Sequence, residues 1–178
     1  MKSILLEDCI ERWINVKKDK KNPFRFFTLS TIALNGSPNS RTVVLRNFNK
    51  DNFVFTIYSD YRSQKITELN SDCRAQLLFY DGKRSIQIVV SVKCISIIKN
   101  ENTFKSIPHY SKKDYSSKLA PGDIITSPDA IDYEKKLNYF TELELEATAI
   151  DYLQLKRNNH LRIKYISSDG WSGVFLNP

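Results

Sequence analysis

The segment SIQIVVSVKCISII, residues 85–98, constrains the fold more than any other stretch of the chain. Ile86, Ile88, Val90, Val92 and Cys94 recur at every second position, with Gln87, Ser91 and Lys93 among the residues between them. Successive side chains on a strand point to opposite faces, so this period makes one face an apolar stripe. Further stretches of the same type surround it: FRFFTLSTIAL (24–34), RTVVLRNF (41–48), FVFTIYS (53–59), AQLLFY (75–80), Tyr139 to Ile150, and a last hairpin of RIKYIS and WSGVFL. The clusters NGSPNS, NKDN, DGKR and SDG separate them as turns. In Tyr139 to Ile150, Glu142, Glu144 and Glu146 fall on one side and Leu143 and Leu145 on the other. Short, regularly spaced strands predict a mainly β fold with a few helices, antiparallel, as a barrel or a sandwich.

The helices are few. Residues 4–18 form an amphipathic pattern with Leu6, Ile10, Trp13 and Lys17 on one stripe. Tyr61 to Asn70 reads as a short helix with Ile66 and Leu69 inward, capped by Ser59 or Asp60. Residues 100–137 are irregular, with two short helices expected around the Pro121-Gly122 turn.

A chain of 178 residues is long enough for one domain, 1–178, with its own core. The longest apolar runs, such as Ile86 to Val90, are too short to span a bilayer. The segment MKSILLEDCIERW meets acids after only a few apolar residues, so no signal peptide is expected. Cys9, Cys73 and Cys94 are odd in number and widely spaced, which fits neither a disulfide framework nor zinc-ligand spacing. They read as small hydrophobes in a reducing, cytoplasmic protein. A net charge of +7 attracts polyanions weakly, but Lys and Arg are spread along the whole length. Nucleic-acid binding is therefore disfavoured.

The usual phosphate-binding glycine loops are missing, as are G-x-S-x-G and H-E-x-x-H. The alternating Glu142, Glu144 and Glu146 read as a solvated strand face, and no metal site is expected. His160 is a lone histidine, either incidental or in contact with a ligand. What remains is residues 40–65, which carry Arg41, Arg46, Arg62 and Lys65 with Tyr58 and Ser59 between them. Arg offers a planar fork to phosphate oxygens, Lys a point charge, and a helix start its free N–H groups. Two strand ends and a helix start lie close enough in sequence to converge on an anion. The same residues could equally form a solvated, charged sheet rim.

SRTVVLRNF, then FTIYSDYRSQKITEL, CRAQLLFY and SIQIVVSVKCI, followed distally by DYSSKLAPGDII, NYFTELELEATAIDYLQLKRNNHLRIKY and GWSGVFLNP, resemble the pyridoxamine 5′-phosphate oxidase family. The likeness runs from about Phe24 onward and is closest to an oxidase-related subgroup of undefined substrate. It implies a split β-barrel of the FMN-binding type, a homodimer with FMN at the subunit interface. By resemblance, Arg41, Thr42, Val43, Val44, Leu45 and Arg46 form the strand whose arginine and backbone contact FMN. Tyr58 and Ser59 stand beside the flavin, Gln64 and Lys65 at its phosphate, and Gln87 on a neighbouring strand. Arg162 resembles the arginine that reaches the flavin from the other subunit. Arg46 and His160 stand where the substrate would bind.

The resemblance thus implies an FMN-dependent oxidoreductase. Its rivals are a binding module without oxidase activity, or a barrel holding haem or a deazaflavin. The departures are specific. Gln64 replaces an arginine, Arg46 a lysine, Leu153 a tryptophan, and Asn158-Asn159-His160 an Arg-Leu-His triplet.

Overall fold

The computed structural model describes residues 1–178. Nine strands make one antiparallel sheet: β1 (Phe26–Ile32), β2 (Pro38–Val44), β3 (Asn47–Asn49), β4 (Val54–Asp60), β5 (Arg74–Asp81), β6 (Ile86–Ile98), β7 (Phe140–Gln154), β8 (Leu161–Ile166) and β9 (Gly173–Leu176). Their spatial order is β2-β1-β5-β6-β7-β4-β3, with β8 and β9 continuing from β7. The helices are α1 (Lys2–Asn15), α2 (Gln64–Ser71), α3 (Glu101–Ser106) and α4 (His109–Lys112).

The stripe on β6 is the floor of the core. Ile86, Ile88, Val90 and Val92 are buried, while Gln87, Val89 and Ser91 between them are half-buried. Phe79, Leu77 and Ala75 of β5 stand opposite Ile88, Val90 and Val92 on one edge, and Tyr152, Ile150 and Ala147 of β7 on the other. Irregularities in the β6–β7 register at Ser91/Val92 and Cys94/Ser96 bend both long strands. That bend curls the sheet so that one face closes on itself. Leu143 and Leu145 point in and Glu142, Glu144 and Glu146 out, as the alternation predicts.

α1 closes the core with Cys9 and Trp13, both fully buried. The indole ring lies 5.0, 4.9 and 5.7 Å from the rings of Phe48, Phe55 and Phe79. At the other end of the chain, Tyr165 donates its hydroxyl to the Lys2 carbonyl at 2.7 Å. Gly173 of β9 lets that ring lie flat. A Cβ at this position would sit 2.7 Å from Tyr165 Cε1, backed by Ile163 at 3.1 Å. Gly173→Ala is therefore expected to cost about 1–3 kcal/mol through overpacking, read as a lower urea midpoint with an unchanged slope.

Four local expectations are corrected. The strand expected over 41–48 is two strands. At Leu45, which is fully buried, the chain leaves the straight path. The backbone changes partners there, with Leu45 N donating to Arg25 O and Arg46 N to Thr56 O, both at 2.9 Å. Pro38, expected in a turn, opens β2; a proline is tolerated at the first residue of an edge strand. The second helix starts at Gln64 with Ser63 as its N-cap. Asp60 does not cap it, because its carboxylate is taken by the Arg62 backbone N–H at 2.8 Å and guanidinium at 2.7 Å. The two short helices of the irregular region both precede Pro121, and only a single 3-10 turn, Pro128–Ala130, follows it.

Candidate functional site

β2 ends the sheet order and pairs only with β1. β4 is paired with β3 only as far as Thr56; from Ile57 to Asp60 its sole partner is β7. The Arg46–Thr56 hydrogen bond joins the two strands at one point. Beyond it, the free edges of Arg41–Val44 and Ile57–Asp60 form the open seam of the barrel. Free strand edges are unusual inside a fold because they leave backbone donors and acceptors available.

α2 starts at the end of β4, at the far side of this seam. The Ser63 side chain makes no capping bond to the helix. Its Oγ lies 2.9 Å from Ser59 Oγ and 2.9 Å from Lys65 Nζ, and Lys65 Nζ reaches Ser59 Oγ at 3.0 Å. An ammonium, two hydroxyls and the first N–H groups of a helix thus share one spot. Lys65 forms no salt bridge with any carboxylate. Burial, together with the nearby charge of Arg41, holds its pKa below the ordinary lysine value, against the weaker pull of Asp60 and Glu68. A desolvated cation bonded only to hydroxyls is a site for an anion.

Arg41 is tied into a network behind that spot. Its guanidinium donates to Glu68 at 2.9 Å, to the Thr31 hydroxyl, and to the Leu29 carbonyl at 3.4 Å. Glu68 is fully buried and also accepts from Asn39 at 2.7 Å and from Thr31. Burial alone would raise the Glu68 pKa. The hydrogen bonds from Thr31, Asn39 and Arg41, and then the charge of Arg41, bring it below the usual value. Lys65 and Glu68 are three apart on α2 and share a face, so the carboxylate fixes how α2 sits on β1 and β2.

On the other side of the seam, Arg46 stacks on the Tyr58 ring with its Cζ 5.3 Å from the centroid. Tyr58 and Tyr115 both pack edge-on against Phe140, at 5.0 and 5.1 Å. Burial raises the Tyr58 pKa, Glu142 adds to the rise, and Arg46 opposes it. Arg46 Nε is buried and has no hydrogen-bond partner. A buried donor left unpaired costs about 1–3 kcal/mol, which a ligand acceptor would recover.

The remaining sequence candidates divide between the seam and the far end of the sheet. Thr42 is exposed, Val43 packs against the core, Val44 is half-buried, and Leu45 offers only its backbone. Gln64 is exposed and faces a recess beside Asn35, Ser37 and Asn39. Gln87, Leu153 and Arg162 stand in one row across β6, β7 and β8. Arg162 binds Asp151 through two bonds, at 3.0 and 2.8 Å. His160 lies exposed in the β7–β8 turn, where its Nδ1 accepts from Lys156 N at 3.1 Å. Tyr58 is opposite Glu142 on β7, and Arg162 is opposite Leu153. The stretch of β7 between these positions amounts to roughly 35 Å of strand.

Sequence reasoning missed Thr31, Asn39 and Glu68. One signal was available. Phe27, Leu29 and Thr31 alternate on the core face of β1, so a hydroxyl there required a buried partner.

An ammonium and two hydroxyls at a helix N-terminus, beside an open strand edge, suit a flavin mononucleotide. Residues 6–97, which include the whole seam and α2, match the family model described as pyridoxamine 5′-phosphate oxidase, FMN-binding domain. The chain belongs to this family. A pyridoxine-5′-phosphate oxidase of Dictyostelium discoideum is 32% identical over 182 residues, covering 93% of this chain and 79% of that protein. A pyridoxine/pyridoxamine 5′-phosphate oxidase of Pelagibacter ubique is 26% identical over 194 residues, covering 96% and 90%. Among solved structures, a pyridoxamine 5′-phosphate oxidase-related, FMN-binding protein of Nostoc punctiforme superposes with a TM-score of 0.76 at 19% identity, covering 96% of each chain. PhzG of Burkholderia lata gives a TM-score of 0.76 at 16% identity, covering 98% of this chain and 91% of that one. The fold is thus the split barrel of the family, and the cofactor of the family is FMN. The residues present fit it: Lys65, Ser59, Ser63 and the start of α2 suit the phosphate, and the unpaired Arg46 Nε suits a ring acceptor.

Proposed function

We propose that this chain, a single domain over residues 1–178, is a cytoplasmic FMN-dependent oxidoreductase acting on a small molecule as a homodimer. The observation that carries the reading is Lys65, a desolvated ammonium with two hydroxyl partners and no carboxylate at the N-terminus of α2. Lys65, Ser59 and Ser63 hold the FMN phosphate, and Arg41 adds its charge from behind. The free edge of β2 meets the rim of the ring, and Arg46 presents its unpaired Nε beside Tyr58. FMN, when bound, supplies the electron acceptor. A cation beside its ring favours the reduced, anionic form. The apolar side of Val44 and the Tyr58–Phe140–Tyr115 cluster exclude water from that region. Cys9, Cys73 and Cys94 are all unpaired, as a reducing cytoplasm allows.

The length of β7 supports the dimer. Gln87 and Arg162 sit at the far end of β7 from Lys65, Ser59 and Ser63. They serve the cofactor only if a second copy presents them across the seam, which also brings the exposed His160 to the rim beside Arg46. The test is complementation. Lys65→Ala and Arg162→Ala homodimers are each expected to bind FMN poorly, Arg162→Ala by about tenfold because one charge-assisted contact is lost. A mixed dimer, co-expressed with two affinity tags, contains one doubly damaged and one intact site. It is expected to regain half the wild-type stoichiometry at wild-type affinity. Two weak sites in the mixed dimer would place the whole FMN site within one chain.

A further inference from the structure

We propose that Cys73 and Cys94 are a redox pair that closes reversibly into a disulfide and clasps the end of α2 to β6. In sequence they are unrelated, but β5 and β6 are in register from Arg74 opposite Lys93 onward. One step further, Cys94 N donates to Cys73 O at 2.7 Å. Directly opposed residues of an antiparallel pair send their side chains to the same face, and at a hydrogen-bonded position their Cα atoms lie about 5.5 Å apart. A disulfide needs a Cα separation of about 4.4–6.8 Å. The register irregularity at Cys94/Ser96 leaves β6 room to adjust at this place.

The two thiols differ as a reacting pair should. Cys73 is exposed and Cys94 half-buried. Burial raises the Cys94 thiol to about 11, so it stays protonated at neutral pH. Cys73 is the exposed sulfur, the one an oxidant meets first; Arg74 beside it is paired with Asp72, and Lys93 stands on the facing strand. With hydrogen peroxide as oxidant, the Cys73 thiolate attacks one peroxide oxygen. The O–O bond breaks, hydroxide leaves, and Cys73 becomes a sulfenic acid. Cys94 then attacks that sulfur. The S–S bond forms, the S–O bond breaks, and the Cys94 proton leaves with the hydroxide as water. In total, two thiols and one peroxide give one disulfide and two waters. A dithiol reductant reverses it by exchange. Compartments that keep thiols reduced allow such transient disulfides.

The bond would tie down the element that carries the anion pocket. Asp72 and Cys73 directly follow α2, whose first turn holds Lys65 and whose second holds the buried Glu68. Linking Cys73 to β6 anchors the helix at its far end.

The test exposes the purified FMN-loaded protein to stoichiometric hydrogen peroxide, alkylates it, and maps its peptides by mass. The expected product is a chain lighter by two hydrogens, with the Cys73 and Cys94 peptides joined and both released by dithiothreitol. Its unfolding temperature is expected to rise by about 5 °C, reversibly, and not to rise in Cys94→Ser. In Cys94→Ser, Cys73 is expected to stop at the sulfenic acid with one equivalent of peroxide and to continue to the sulfinic acid with a second. Wild-type protein in which Cys73 is over-oxidised or bridged between chains while Cys94 remains alkylatable overturns the pair. A Cys73–Cys94 bond that leaves the unfolding temperature unchanged overturns the clasp.

Discussion

Lys65→Ala is expected to weaken FMN binding by about 10- to 100-fold, the value of one or two charge-assisted hydrogen bonds to a phosphate. The unliganded protein should melt no lower than wild type. Lys65 has no carboxylate to lose, its ammonium is held in a partly desolvated place, and Ser59 and Ser63 remain bonded to each other without it. Flavin fluorescence quenched on titration reads the affinity, and calorimetry of the apo protein reads the stability. Equal losses in both would make Lys65 a structural residue rather than a phosphate ligand.

The same residue fixes a pH dependence. Burial and Arg41 lower the Lys65 pKa, so the ammonium begins to lose its proton at a pH below the ordinary lysine range. The phosphate is already a dianion above about pH 6–7. FMN affinity should therefore fall as pH rises through the lowered Lys65 value, and this slope should vanish in Lys65→Ala. An alkaline slope that persists in the variant would assign it to another group.

Arg41→Ala is expected to act mainly on the fold, with a loss of about 3 kcal/mol and a drop of roughly 6–12 °C in unfolding temperature. The resemblance alone places Arg41 against the cofactor. The structure shows its guanidinium committed to Glu68, whose carboxylate is 1% exposed while the arginine is 21% exposed. Removing the arginine leaves a buried charge with only Thr31 and Asn39 as partners. In wild type the lowered Glu68 pKa contributes stability that is present above the ordinary carboxylate range and is lost as pH falls through the lowered value. In Arg41→Ala, burial dominates and Glu68 takes up a proton more easily. The stability gap between variant and wild type should then narrow on acidification. Adding Glu68→Gln to Arg41→Ala should recover most of the loss, because a neutral amide still bonds Thr31 and Asn39. A double variant as unstable as Arg41→Ala would mean that the network matters for shape rather than for charge.

The strands could be read from period alone, because each has one dry face and one wet face. β6 and β7 show this most plainly, with Ile86 to Val92 and Leu143 and Leu145 inward. Strand ends were less legible. Leu45 fits the alternation of a continuing strand, and only the position of the core reveals that the chain turns there. Asp60 is a good cap by type, but Arg62, two residues on, competes for its carboxylate more strongly than a helix N–H does.

The site divides in the same way. Sequence placed Lys65, Ser59, Arg46 and Tyr58 near one another, because β4 delivers two of them and α2 begins a few residues later. It could not show that Arg41 faces inward to Glu68, or that Ser63 completes the lysine's shell. It also could not show that Gln87 and Arg162 stand at the other end of β7, or that Cys73 meets Cys94. The alternation that makes a mainly β barrel and the local cluster of cations and hydroxyls are properties of the linear chain. Which cation is paired with a carboxylate, as Arg41 is, and which is not, as with Lys65, is settled on folding. Pairing between strands distant in sequence sets those distances, and an ion's role depends on the partner that folding places beside it.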